Sequence, residues 1–129
     1  MIILVIDGQG GRLGKQLVEA ARRKFADAEI LAVGTNSMAT ATMLKAGADE
    51  GATGENPVIV GCRRADFIVG PLGIVIADSL LGEVTPKMAT AISQSGATRV
   101  LIPMNMQGIC LQGIHQPGNS QIQLEGFIR

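Results

Sequence analysis

This sequence is poor in the residues that several classes of function require. It has no Trp and no Tyr, and its Phe residues are limited to Phe25, Phe67 and Phe127. Platforms on which nucleic-acid bases could stack are therefore scarce. Lys and Arg number 11, as do Asp and Glu, so the net charge of +0 provides no attraction to nucleic acid or anionic lipid. We expect neither a nucleic-acid partner nor a membrane partner.

Soft metal ligands are also scarce. Cys62 and Cys110 are far apart and form no C-x-x-C pair, and His115 is the single histidine. The sequence therefore predicts no metal site of the zinc type, which draws on several Cys, His or acidic ligands. Cys62 lies among apolar residues of a predicted helix, where a thiol is more often a small buried hydrophobe than a nucleophile.

Long hydrophobic runs are missing as well. No apolar stretch approaches the roughly 20 residues of a membrane-spanning helix. The first residues lack the basic region of a secretory signal peptide, so the expected location is the cytoplasm. Yet 47% of the 129 residues are hydrophobic, a large share for a small domain. We expect one domain over residues 1–129 that buries apolar surface between copies, as a homo-oligomer (a dimer or higher).

Strand and helix patterns alternate along the chain. The continuous apolar run 2–6 is typical of a strand buried on both faces of a parallel sheet, and apolar residues at four-residue spacing over 13–25 predict a helix. The fold class is therefore α/β: a doubly wound, mainly parallel Rossmann-like sheet of about five strands with a C-terminal β-hairpin. Further strands are predicted within 29–34, 48–54, 66–70 and 99–104, further helices over 38–46, 57–64, 73–81 and 86–95, and the hairpin over 108–127.

The carboxyl ends of these strands form the candidate site. In a doubly wound sheet, ligands bind outside those ends, near the point where strand order reverses. Most of the ends here are small, polar or glycine-rich, which leaves room for a nucleotide. The expected ligand contacts follow strands one, two, four and five: Gly8, Gln9, Gly10, Gly11, Arg12, Leu13, Gly14, Gly34, Thr35, Asn36, Ser37, Gly70, Pro71, Leu72, Gly73 and Asn105.

The stretch GQGGRLGK, residues 8–15, is the most glycine-rich of these ends. It departs from the fingerprint G-x-G-x-x-G at Leu13 and from the P-loop at positions 9 and 16. It does fit G-x-x-G-x-x-G at Gly8, Gly11 and Gly14. Such glycines let the backbone approach a pyrophosphate at a helix start, where free N–H groups favour negative charge. The alternative is a tight corner between strand and helix.

This glycine spacing resembles that of atypical NAD(P)-binding Rossmann families, including the extended short-chain dehydrogenases. The resemblance implies NAD or NADP as the ligand. Two features depart from it. Thr35, Asn36 and Ser37 stand where an acid would hold the ribose 2′-OH, and a chain without Tyr has no Tyr-x-x-x-Lys proton donor. GQGGRLGK also resembles the signature of sugar-nucleotide and molybdopterin nucleotidyltransferases, which implies a triphosphate on Arg12 and Lys15.

A wider resemblance covers about residues 2–105. The strings GTNSMATATMLKAGADEGATGENPVIV and ADFIVGPLGIVIADSLLGEVTPKMATAI resemble a family of small, uncharacterised bacterial Rossmann-like proteins, a domain of unknown function. The resemblance implies a bacterial, cytoplasmic protein with this fold and no particular reaction.

Other polar residues are weaker candidates for a functional role. Asp7 either touches a ligand or magnesium ion or anchors the amides of its own turn. Asp78, Ser79 and Glu83 form a polar patch that we interpret as the solvated face of a helix. His115 lies in a predicted turn without an obvious catalytic partner.

Three functional hypotheses follow. The first is a nucleotide-binding or sensing protein without chemistry of its own, with a dinucleotide such as NAD or NADP as its ligand. The second is a small enzyme of NAD(P) or nucleotide metabolism whose site is completed by a second subunit. The third is a structural or interaction module whose glycines serve packing alone. The sequence leaves open whether the protein is an enzyme.

Overall fold

A computed structural model describes residues 1–104 and 109–112. These residues form a five-stranded sheet with helices on both faces, as the alternating pattern predicts. The strands are β1 (Ile2–Asp7), β2 (Glu29–Gly34), β3 (Glu50–Thr53), β4 (Phe67–Pro71) and β5 (Thr98–Ile102). The α-helices are α1 (Arg12–Lys24), α2 (Ser37–Lys45), α3 (Glu55–Arg64) and α4 (Pro86–Gln94).

The sheet has the strand order β3-β2-β1-β4-β5, and all neighbouring strands are parallel. The chain runs outward from β1 to β3 and then crosses back to β4, on the other side of β1. The order therefore reverses between β1 and β4, which is where such sheets open a crevice for ligands. The predicted α/β class and parallel sheet are confirmed.

Alternate residues of the strands build two separate cores. Ile3, Val5 and Ile30 pack under α1 and α2, whereas Leu4 and Ile6 pack under α3 and α4. β1 is buried on both faces because its side chains alternate between these two layers. The first strand, and with it the start of the glycine-rich stretch, is therefore fixed at the centre of the molecule.

The segment after β4 differs from the prediction. Instead of a helix over 73–81, a single 3-10 turn at Leu72–Val75 is followed by irregular chain in which Asp78, Leu80 and Leu81 have positive φ. Positive φ is incompatible with a right-handed helix. The Asp78 N–H donates to the Val84 carbonyl instead, so the chain closes a compact loop across the strand ends.

Two smaller predictions concern the start of α3 and the end of the chain. The helix predicted over 57–64 begins earlier, at Glu55, with Gly54 as its N-cap residue. The predicted C-terminal hairpin lies mostly outside the described residues. Within the described part of the chain, no helix is both long enough and apolar enough to cross a bilayer.

Candidate functional site

Asp7, the last residue of β1, holds the glycine loop, which we define as residues 8–14. Its buried carboxylate accepts the Gly8 N–H at 2.8 Å through Oδ1 and the Gly14 N–H at 2.7 Å through Oδ2. Burial raises the pKa of Asp7 above its ordinary value, against the opposing effect of these two hydrogen bonds, and the charge of Glu83 raises it further. Of the two interpretations of Asp7, the structure supports the anchor for the turn's own amides.

Gly11 and Gly14 bring α1 close to α2. A Cβ on Gly11 would lie 2.8 Å from Ala39 Cα, and a Cβ on Gly14 would lie 2.5 Å from Met43 Sδ. Gly11 also has a φ of +74°, which L side chains rarely adopt. Packing alone therefore accounts for two of the three glycines in the G-x-x-G-x-x-G pattern.

Gly8 makes room for a carboxylate from a distant part of the chain. A Cβ on Gly8 would lie 2.8 Å from Glu83 Oε1 and 2.8 Å from Leu80 Cδ1. Both residues belong to the loop of residues 78–84, which we call the covering loop because it lies over the end of β1. The predicted polar patch of Asp78, Ser79 and Glu83 therefore does not form one solvated helix face, because Glu83 points toward the strand ends.

Glu83 Oε1 accepts three hydrogen bonds at the ends of β1 and β2. The donors are the Gln9 N–H at 2.9 Å, Thr35 Oγ1 at 2.6 Å and Asn36 Nδ2 at 2.8 Å. Partial burial raises the pKa of Glu83, but the bonds from Thr35, Gln9 and Asn36 outweigh it, so the pKa lies below its ordinary value. An ionised carboxylate therefore stands at the end of β2, where the local sequence offers no acid.

The residues after β2 also shape their own corner. Asn36 Oδ1 accepts the Ala39 N–H at 2.9 Å and caps α2, as its position before the helix predicts. Its Nδ2 additionally donates to the Gln9 carbonyl at 2.9 Å, which ties the glycine loop to the second strand end. Thr40 Oγ1 accepts the Gly34 N–H at 3.1 Å, so this N–H is already bound by a side chain of the following helix, α2.

Three residues of the glycine loop have free amides and also line a cleft. None of the described residues accepts a hydrogen bond from the N–H groups of Gly10, Arg12 or Leu13. All three residues line a cleft of about 260 Å³ where strand order reverses between β1 and β4. Its other lining residues are Asp7, Gly8, Gln9, Gly11, Pro71, Leu80 and Met104.

The cleft gathers some of the expected ligand contacts and leaves out others. Residues 8–13 and Pro71 line it. Thr35 and Asn36 do not line it, but both donate to Glu83, which also accepts the N–H of the lining residue Gln9. Gly70 instead packs against the Ile6 carbonyl of the neighbouring strand, and the Gly73 carbonyl accepts a hydrogen bond from Ser79. Gly14, Gly34, Ser37 and Leu72 are not among its lining residues, and Asn105 and His115 lie outside the described residues.

Larger depressions lie away from the strand ends. One of about 520 Å³ runs between α3 and α4, and one of about 300 Å³ lies between β3 and α3. Neither is lined by glycine-loop residues. No three His, Cys, Asp or Glu side chains in residues 1–104 and 109–112 gather as a metal site. The smaller cleft is the candidate because it combines free donors with the strand-order reversal.

Cys62 belongs to the core under α3, and burial raises the pKa of its thiol to about 11. We expect native Cys62 to react with a disulfide reagent at pH 8 roughly a hundredfold more slowly than in urea, because the thiolate is the reacting form. Cys110 is exposed and should account for the fast phase. Thiol titration of the protein and of Cys110→Ser tests this expectation, and a fast native phase that survives in Cys110→Ser contradicts it.

The chain matches one protein family by sequence and has a distant structural similarity to a solved enzyme structure. A family model described as "Domain of unknown function (DUF3842)" matches residues 2–124. No curated protein matches the chain. Among solved structures, the chain is similar to a dodecameric FMN-dependent Ubix-like decarboxylase from Escherichia coli O157:H7. The identity is 22%, the coverage is 81% of this chain and 67% of that one, and the TM-score is 0.49. A likeness this distant does not extend to ligand or activity.

Proposed function

The chain belongs to the DUF3842 family, a domain family of unknown function, and we propose that it binds a nucleotide through the phosphate groups at the carboxyl edge of its sheet. The observation that carries the proposal is that Gly10, Arg12 and Leu13 line the cleft while their N–H groups have no acceptor among the described residues. Donors of this kind bind phosphate oxygens well.

The electrostatics of the cleft favour an anion. α1 is 13 residues long and begins at Arg12, so the positive end of its dipole lies at the glycine loop. The Arg12 side chain is exposed at the same place and adds a full positive charge. Among the lining residues, Asp7 is the one with a carboxylate, and its two oxygens accept two amides of the loop, whereas Glu83 is not among the lining residues.

A dinucleotide fits the layout of two neighbouring strand ends. With its pyrophosphate on the free amides, one nucleoside would lie toward Thr35, Asn36 and Glu83, and the other would lie in the cleft beside Pro71 and Met104. A volume of about 260 Å³ is small for a whole dinucleotide but adequate for one part of it. We therefore keep NAD or NADP as the proposed ligand, and catalysis is not part of this proposal.

A packing module is the second candidate. The close approach of Gly11 and Gly14 to Ala39 and Met43 favours it, because those two glycines need no ligand to explain them. It differs from the binding proposal at Gly10, which packs against no neighbouring element: a Cβ there would meet only Arg12 Cγ, at 3.8 Å.

Gly10→Leu separates these two candidates. The new side chain has room at its Cβ, so the melting temperature should change by no more than about 2 °C, while the side chain obstructs the free amides. We expect the affinity for NAD⁺, measured by titration calorimetry, to fall at least about tenfold, because more than one charge-assisted hydrogen bond is lost.

Gly96→Leu is the matched control, because a Cβ on Gly96 also meets open space and lies away from the glycine loop. It should leave both the affinity and the melting temperature unchanged. The binding proposal is wrong if the wild-type protein binds none of NAD⁺, NADP⁺, ADP, FMN and pyrophosphate, or if Gly10→Leu binds them as the wild type does.

We also propose that the protein assembles from copies of this chain. The edge strand β3 is exposed along its length, and Leu44 and Val60, each 40% exposed, flank it on the two faces. An uncovered strand edge with apolar neighbours favours association. Multi-angle light scattering measures the state directly. A bacterial source and a cytoplasmic location stay predictions.

A further inference from the structure

The position of Glu83 suggests how the site selects its ligand. We propose that Glu83 receives a ribose 2′-hydroxyl of the bound nucleotide and thereby selects ligands without a 2′-phosphate. This inference rests on the proposed function. It assigns to a residue after β4 the role that dinucleotide-binding sheets usually give to an acid at the end of β2.

The two oxygens of the Glu83 carboxylate have different surroundings. Oε1 accepts the three hydrogen bonds from Gln9, Thr35 and Asn36, which fix the carboxylate at the end of β2. Oε2 receives no hydrogen bond from residues 1–104 or 109–112, and the side chain is only half-buried. One oxygen therefore positions the group, and the other is available to a ligand hydroxyl.

The carboxylate also stands next to the phosphate donors. Gln9, whose N–H binds Glu83, directly precedes Gly10, whose N–H has no acceptor among the described residues. Because Gln9 and Gly10 are adjacent in the chain, the Glu83 carboxylate and the free Gly10 amide lie at the same end of the sheet, and we expect a ribose hydroxyl and its 5′-phosphate to bind them together. No ion pair to Glu83 is found in the described part of the chain, so its negative charge stays available to repel a 2′-phosphate.

Wild-type binding gives the first test. We expect the affinity for NAD⁺ to exceed that for NADP⁺ by about tenfold or more, since NADP⁺ exchanges a charge-assisted hydrogen bond for like-charge repulsion. ADP should likewise bind about tenfold more tightly than 2′-deoxy-ADP, which has no hydroxyl to donate. These comparisons need no variant and do not depend on whether a variant folds.

Glu83→Gln gives the second test. The amide oxygen can still accept the three hydrogen bonds, but the repulsion of a 2′-phosphate is lost, so the ratio of NAD⁺ to NADP⁺ affinity should fall about tenfold. Glu55→Gln is the matched control. Glu55 Oε2 accepts a hydrogen bond from Thr85 Oγ1 at 2.6 Å beside the start of α4, outside the proposed site. The ratio of NAD⁺ to NADP⁺ affinity in Glu55→Gln should therefore equal that of the wild type. The melting temperature of each unliganded variant reports any purely structural effect.

The outcomes separate this inference from the proposed function. If no nucleotide binds the wild type, both are wrong. If NAD⁺ binds but NADP⁺ binds as tightly, or if Glu83→Gln keeps the wild-type ratio, nucleotide binding stands and the role of Glu83 is wrong. A falling ratio with unchanged affinity for pyrophosphate supports the role of Glu83.

Discussion

Replacing Gly11 by Ala is expected to lower the free energy of unfolding by about 4 kcal/mol. A φ of +74° costs an L residue about 1–2 kcal/mol. The added Cβ would also lie 2.8 Å from Ala39 Cα and 2.9 Å from the Ala39 carbonyl oxygen, both of which are backbone atoms of α2. Backbone cannot rotate away as a side chain can, so α1 and α2 must separate, which costs about 1–3 kcal/mol more.

Urea denaturation of Gly11→Ala measures this cost, and Gly10→Ala is its control. A Cβ on Gly10 meets Arg12 Cγ at an ordinary 3.8 Å, so the adjacent substitution should change stability by no more than about 0.5 kcal/mol. Equal stability of the two variants would show that α1 and α2 are not in the close contact described above.

The contrast between Gly10 and Gly11 determines which position can be used to test ligand binding by the glycine loop. A bulky residue at Gly11 is expected to destabilise the fold together with any ligand site, so a loss of binding in such a variant would be uninformative. Gly10 is the position where binding and folding separate. The sequence alone could not make this distinction, because it depends on Ala39 and Met43, which lie 25 or more positions further along the chain.

The sheet itself could be predicted because local patterns specify it. The run Ile2–Asp7 is apolar at every position from Ile2 to Ile6, which fits a strand with a core on each face. Asn36 and Thr85 cap the helices that follow them, and their short polar side chains stand directly before helical patterns. Such signals span only a few residues, so they can be recognised in the sequence without knowledge of tertiary contacts.

The covering loop could not be predicted in this way. Residues 73–81 contain apolar residues at helix-like spacing, but Ile74 is buried within the 3-10 turn, and Val84 is buried from the irregular chain that turns back over the strands. Three non-glycine residues with positive φ support that path. Such conformations hold only where the surrounding contacts impose them. Here the bonds of Glu83 to Gln9, Thr35 and Asn36 supply such contacts.

The site therefore differs from the one expected from the loop alone. The local sequence after β2 offers hydroxyl and amide groups and no acid, which argues against a ribose site of the usual kind. Glu83 brings the missing carboxylate from nearly 50 positions away, to within 2.6 Å of Thr35. A juxtaposition over that sequence distance has no local signal, so only the fold reveals it.

Removing the carboxylate of Asp7 is expected to destabilise the protein by about 3 kcal/mol at pH 7. In Asp7→Ala the buried N–H groups of Gly8 and Gly14 lose their acceptors, each at a cost of about 1–3 kcal/mol, partly offset because a buried charge is no longer required. Asp27→Ala, at an exposed position, should change stability by no more than about 0.5 kcal/mol in the same urea titration.

The pH dependence of this difference tests the cause. Because the pKa of Asp7 is raised in the folded protein, the native state holds its proton more tightly than the unfolded chain does. Stability contributed by this group is therefore present below the ordinary pKa of 3.8 and is lost as the pH rises through the raised value. The gap between wild type and Asp7→Ala should accordingly be wider at pH 4 than at pH 7. A gap that widens toward pH 7 would mean that the two loop amides, rather than burial, dominate the energetics of Asp7, and that the glycine loop stabilises an anion even without a ligand.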